Sequence, residues 1–200
     1  MRHLGRLLVL AFTLALAACG PSYENGPPAP EPADIAALER AILGLGPDVS
    51  PDEAATAARI AYRYPLELAD RYQITDPPII HNMKVNSGTR PRGLCYQWAD
   101  DLEARLAQER FVTLDLHRAI ANHDKPLAIE HSTVILSRAG APMAQGLILD
   151  PWRWGGKLYW GPVTEDSRYD WWPRGEVFAW KRAREGRAPV DPSAEPLPPL

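Results

Sequence analysis

Gly93-Leu94-Cys95-Tyr96-Gln97-Trp98-Ala99-Asp100-Asp101-Leu102 and, a few residues later, Phe111-Val112-Thr113-Leu114-Asp115-Leu116-His117 decide the fold. In the first stretch Trp98, Ala99, Leu102 and Leu106 share one helical face while Asp100, Asp101, Glu103 and Arg105 fall elsewhere. That spacing predicts an amphipathic helix with Cys95 in its first turn. In the second the period drops to two, Val112, Leu114 and Leu116 alternating with Thr113, Asp115 and His117, which predicts a strand. The chain therefore changes from helix to sheet at about residue 110.

Upstream the pattern is helical. Ile35, Leu38, Ile42 and Leu43 predict a short helix over 34–44, and Ser50-Pro51-Asp52-Glu53 supplies a capping serine, a first-turn proline and a third-position glutamate for a helix from about 51 to 63. Pro65 is expected to restart the pattern in a second piece ending near Gln73, Pro77-Pro78 to terminate it, and 79–92 to be loop. Downstream, Asn122-His123-Asp124-Lys125-Pro126 reads as a turn. Further strands are expected at 128–137, 146–150, 157–160 after the Gly155-Gly156 turn, and 176–180. Helices followed by an antiparallel run of strands give the class α+β.

Both ends differ from this core. Of 21 prolines in 200 residues, ten lie at 21–32 and 189–199. With 22 Lys+Arg against 25 Asp+Glu the net charge is −3, which speaks against nucleic acid as a partner. Arg2 and Arg6 precede an apolar run, Leu7 to Ala18, broken only by Thr13. That is the profile of a secretory signal, too short for the ~20 apolar residues of a spanning helix. Leu16-Ala17-Ala18-Cys19 resembles the lipobox of bacterial lipoproteins, which implies that the signal is removed and Cys19 acylated. The expected organisation is a signal peptide at 1–18, a lipidated Cys19 with a disordered tether at 19–33, one α+β domain at 34–187, and a disordered proline-rich tail at 188–200. The expected location is the bacterial cell envelope, with a membrane as partner through the acylated Cys19. Gly20 after the cysteine resembles outer-membrane sorting, on the periplasmic face, more than inner-membrane retention.

Acylation of Cys19 would leave Cys95 as an unpaired thiol in an exported chain, a flag for reactivity. The start of a helix beside a histidine is where thiols become thiolates. His131 lies early in a predicted strand and Asp150 at the end of the next, so a general acid/base and its orienting carboxylate are available in the order Cys95, His131, Asp150. The first amides of the Cys95 helix could stabilise an oxyanion.

Gly93-Leu94-Cys95 with its aromatic-bearing helix, then His131-Ser132-Thr133-Val134, then Leu147-Ile148-Leu149-Asp150-Pro151-Trp152, resembles the transglutaminase-like branch of the papain-like cysteine enzymes. The resemblance covers about residues 80–180. It implies a papain-like core, a Cys95–His131–Asp150 triad and acyl transfer on an amide of a peptide or protein, by hydrolysis or transamidation. Asp100-Asp101 and Trp98 match no substrate-defining pattern. Asn82 and Asn86 are read as polar support for an oxyanion.

No cofactor is expected. His81, His117 and His123 lack metal-ligand spacing and read as surface or structural residues, so no metal site is assigned. Six of the seven tryptophans fall in the last third, with Arg153, Arg168 and Arg174 among them. They either fill and rim the small core or wall a groove beside Cys95, with Trp98, Trp152 and Trp154 as its lining. The alternative function is a non-catalytic envelope binding module that uses such a groove. Oligomeric state is left open.

Overall fold

The computed structural model describes residues 21–186. The signal segment, Cys19 and the whole proline-rich tail lie outside the described residues. Helix α1 (Pro32–Leu43) and helix α2 (Pro51–Tyr72) open the domain, followed by α3 (Pro78–Asn86) and α4 (Cys95–Ala107). Strands β1 (Leu114–Ala121), β2 (His131–Arg138), β3 (Leu147–Trp154), β4 (Lys157–Pro162) and the two-residue β5 (Trp172–Pro173) come next, and α5 (Arg174–Arg184) is last. The strands form one antiparallel sheet in the order β4-β3-β2-β1-β5. The class is α+β. No helix among the described residues is long and apolar enough to cross a membrane.

Strand alternation divides the core. Leu114, Val134, Leu136, Leu147 and Leu149 face α1, α2 and α4, which supply Leu38, Ile42, Ala57, Ala61, Leu102 and Leu106. Each such leucine or isoleucine, essentially inaccessible, contributes about 1.5–3 kcal/mol of burial. The opposite sheet face puts Ala119, Ile135 and Ile148 under Met143 and Trp171. A third cluster joins the C-terminal end of α2, through Leu68, Ala69 and Tyr72, to Cys95, Trp98 and Trp152. It lies where the start of α4 meets the sheet.

Several local expectations give way to packing. Pro65 does not divide the second helix: α2 runs 22 residues through it, with Ala61 and Leu68 fully buried on either side. That burial offsets the ~3 kcal/mol cost of an interior proline. Residues 79–92 are not all loop, because the second proline of Pro77-Pro78 occupies the first turn of α3 and His81 is buried beneath it. The expected strand at 176–180 is part of helix α5, anchored by Val177. β1 begins at Leu114, since the Glu53 carboxylate holds the Val112 and Thr113 amides at 2.8 and 2.9 Å.

The expected free tether differs most. Pro32 and Ala33 belong to α1, and residues 21–31 lie on the domain instead of leaving it. Tyr23 N–H and Ser22 Oγ–H both donate to the Thr75 carbonyl, at 3.2 and 2.9 Å. A side chain at Gly156, whose φ is +101°, would start 2.8 Å from Pro27 and 3.0 Å from Ala69, so glycine is what lets this segment close on the β3–β4 turn.

Candidate active site

Cys95 is the first residue of α4, and the turn that delivers it is bonded from all sides. Gln97 Oε1 accepts from the Gly93 and Leu94 amides at 2.8 and 3.0 Å. Trp98 Nε1 donates to the Gly93 carbonyl at 3.0 Å, and His81 Nε2 to the Arg92 carbonyl at 2.9 Å. Arg92 grips Asp101 through Nε and a terminal nitrogen, at 3.0 and 2.7 Å, and the Tyr72 hydroxyl bonds the same carboxylate. Gly93 has φ +127°, and a side chain there would start 2.5 Å from His81 Nε2. Only glycine fits. Burial lowers the pKa of His81 and so favours its neutral ring.

His131 opens β2, opposite Ala121 of β1. Val134 pairs with Leu149, a register that puts His131 and Asp150 on the same sheet face. His131 Nε2 lies 2.6 Å from Asp150 Oδ2, and both side chains are fully buried. The Cys95 thiol donates to the carbonyl of Glu130, the residue before His131, at 3.5 Å. Nδ1 of His131 is buried and makes no hydrogen bond among the described residues, which makes it the ring nitrogen left for the thiol. Trp152 and Tyr169 pack on the imidazole at centroid distances of 4.7 Å and Trp171 at 5.3 Å.

The electrostatics follow from this enclosure. Burial alone would lower the His131 pKa, but the charge and hydrogen bond of Asp150, and then the neighbouring Cys95, outweigh it and push it up to about 9. For Asp150 burial works upward and is overcome by His131 and Arg153, which hold the carboxyl below its usual range.

Asp150 owes its orientation to the residues after it. Pro151 cannot donate to the ladder, and the β3–β4 register shifts between Asp150 and Trp154. In that irregular turn the Arg153 amide donates to Asp150 Oδ1 at 3.1 Å and Arg153 Nε to Oδ2 at 3.0 Å. The guanidinium continues to Asp166 at 2.7 Å and lies over the Tyr159 ring, 3.6 Å from its centroid. Asp166 also accepts from Trp171 Nε1 at 2.9 Å. A chain of fixed charges thus runs from the imidazole through Asp150 and Arg153 to Asp166.

The other expected site residues lie as follows. Asn82 turns its Oδ1 to Trp152 Nε1 at 3.1 Å, so it steadies the indole covering His131. Asn86 is exposed at the end of α3, and no hydrogen bond links it to Cys95, His131 or Asp150. Trp98 and Trp152 do not line a groove: they are 1% and 6% exposed and form the floor and cover of the site. Trp154 lines a shallow hollow with Pro21, Tyr23, Lys157 and Trp160. Asp100 pairs with the buried Arg118, which reaches Ser132 on β2 at 2.9 Å, so Asp100-Asp101 serve as clamps of α4. Among the described residues no group of three His, Cys, Asp or Glu side chains could hold a metal ion.

Arg153 and Asp166 are the participants that the sequence pattern left unrecognised. Arg153, which the sequence shows only as one of three arginines among the tryptophans, is buried against the rings of Tyr159 and Tyr169. Its spacing three residues beyond an Asp-Pro step was the available signal. Comparison with protein-family models, with curated proteins and with solved structures finds no match.

Proposed function

We propose that the chain is an exported, lipid-anchored envelope protein whose domain has a papain-like, transglutaminase-like core and transfers acyl groups from amides through Cys95. The observation that carries the chemistry is the 2.6 Å bond between His131 and Asp150, buried beside a thiol at a helix start. Cys95 gives its thiol proton to the free ring nitrogen of His131, and Asp150 holds the imidazolium that forms. The sulfur attacks the amide carbonyl carbon, and the oxyanion faces the Cys95 amide. The Gly93 and Leu94 amides are already spent on Gln97. As the C–N bond breaks, His131 gives its proton to the departing amine and a thioester remains on Cys95. Water or a second amine then attacks, its proton passes to His131, and the C–S bond breaks. Asp150 keeps the imidazolium oriented throughout.

The anchor rests on Leu16-Ala17-Ala18-Cys19 and the charged, apolar segment before it. Cys19→Ser is expected to release the protein from the membrane fraction, and retention there would refute the anchor. The binding-module alternative loses much of its support, because two of its three lining tryptophans are buried.

The enzymatic reading is tested by treating the protein with a small activated ester and weighing it intact. An acyl group is expected on Cys95, absent in Cys95→Ala, not accumulating in His131→Ala, and discharged faster when a primary amine is added if the enzyme is a transferase. Equal acylation of the wild type and His131→Ala would refute it.

A further inference from the structure

The segment that follows Cys19 is short and held down. Only Gly20 and Pro21 separate Cys19 from Ser22, so the Cα atoms of residues 19 and 22 lie no more than about 11 Å apart in any conformation. Ser22 and Tyr23 are bonded to the Thr75 carbonyl at 2.9 and 3.2 Å. The Tyr23 ring lies 3.6 Å from where a side chain on Gly155 would begin, and Pro27 closes on Gly156. An acyl group on Cys19 would therefore be tied to one face of the domain and not to a leash. The headgroup layer of a bilayer is itself about 6 Å thick on each side.

That face has the chemistry of a headgroup layer. Tyr23, Trp154, Tyr159 and Trp160 are half-buried rings around the hollow that Pro21 and Lys157 complete, and Lys157 is exposed. Rings with one apolar and one polar side concentrate at membrane interfaces, and a lysine beside them suits anionic lipid. We infer that the surface carrying Tyr23, Trp154, Lys157 and Trp160 is the side the domain lays on the lipid headgroups of the membrane that holds its anchor. This rests on the proposed acylation of Cys19.

The orientation has a consequence for the thiol. Ile74 lies against the Gly155 position on one side, at 3.7 Å, and against the Gly93 position on the other, at 3.5 Å. One side chain separates the layer that Tyr23 touches from the turn that delivers Cys95.

α2 supplies a ruler for the test. Thr75 follows its C-terminal end, while Val112 is fastened through Glu53 to its first turn and is 80% exposed. The 19 steps from Glu53 to Tyr72 span about 28 Å. The acylated full-length chain, carrying Cys95→Ser so that one reactive thiol remains, is prepared as Asn25→Cys, at an exposed position two residues from Tyr23, and as Val112→Cys. Each is labelled with a fluorophore and reconstituted in phosphatidylethanolamine/phosphatidylglycerol vesicles containing a headgroup-attached quencher lipid. Intact mass on the same samples reports acylation. Quenching at 25 at least threefold stronger than at 112 is expected, and twelve Gly/Ser residues inserted after Gly20 should erase most of that difference. Equal quenching on an acylated chain overturns the orientation alone. A Cys19 that carries no acyl group overturns the anchor and the orientation with it.

Discussion

Two walls flank the Cys95 sulfur, and they are built on opposite plans. On one side the turn 92–94 has its amides and carbonyls taken by Gln97, Trp98 and His81, and Arg92 is locked to Asp101. On the other, the β1–β2 loop that ends at Glu130 holds itself by a few bonds, such as Asn122 Nδ2 to the Ile129 carbonyl at 3.1 Å. It leaves Leu127 and Ile129 exposed and keeps Asn122 and Leu127 at positive φ. Under the proposed function the difference separates two tasks. Placing a nucleophile within a few tenths of an ångström needs bonded, packed backbone, whereas accommodating a substrate needs a surface that can adjust.

The contrast is broken most forcefully from the buried side. His131→Ala should slow acyl transfer by about 100-fold or more, the scale of a lost general acid/base, with the circular-dichroism spectrum retained. Asp150→Asn removes the charge that His131 and Arg153 share, and urea unfolding should show a loss of about 3–5 kcal/mol. Its His131 should titrate well below the value of about 9, by NMR. Arg153→Lys keeps a cation but loses the fork that spans Asp150 and Asp166, so roughly 2 kcal/mol of stability should go while some activity remains.

A pH series sharpens the same side. The folded-state pKa of His131 lies above the unfolded value of about 6.5, so the stabilisation from its pairing is fully present below that pH and is lost as pH rises through about 9. The stability gap between wild type and His131→Gln should be largest near pH 6, on the order of 3 kcal/mol, and small at pH 9.5. A gap that grows with pH would contradict the pairing.

The smallest effects belong to the other wall. Leu127→Ala and Ile129→Ala should each change stability by no more than about 0.5 kcal/mol, since neither side chain is buried. Any effect on catalysis should fall on KM more than on kcat. A large loss of stability in either variant would show that the two walls are not built differently.

Much of this was legible in the chain. The 93–106 face, the switch of period after residue 110 and the order Cys95, His131, Asp150 can be read from spacing, because burial periodicity and chain order survive in one dimension. What failed was local punctuation overridden by tertiary contact. Pro65 stays inside α2, Pro78 starts a helix, and Val177 draws 174–184 into α5. For the tryptophans, composition shows an aromatic cluster but not which ring turns inward; Trp98 and Trp152 do, in line with the core-filling of the two readings. Spacing after the Asp-Pro step is the one hint of Arg153 as a partner of Asp150, since its role depends on the irregular turn after Pro151 and on Asp166 thirteen residues away.

The central claim is that Cys95, His131 and Asp150 act as one unit, and the rate of Cys95 alkylation by iodoacetamide at pH 6 tests it most directly. Wild type is expected to react at least tenfold faster than free cysteine, with His131→Ala falling to the free-cysteine rate or below it. A wild-type rate no faster than free cysteine and unchanged by His131→Ala would contradict the account.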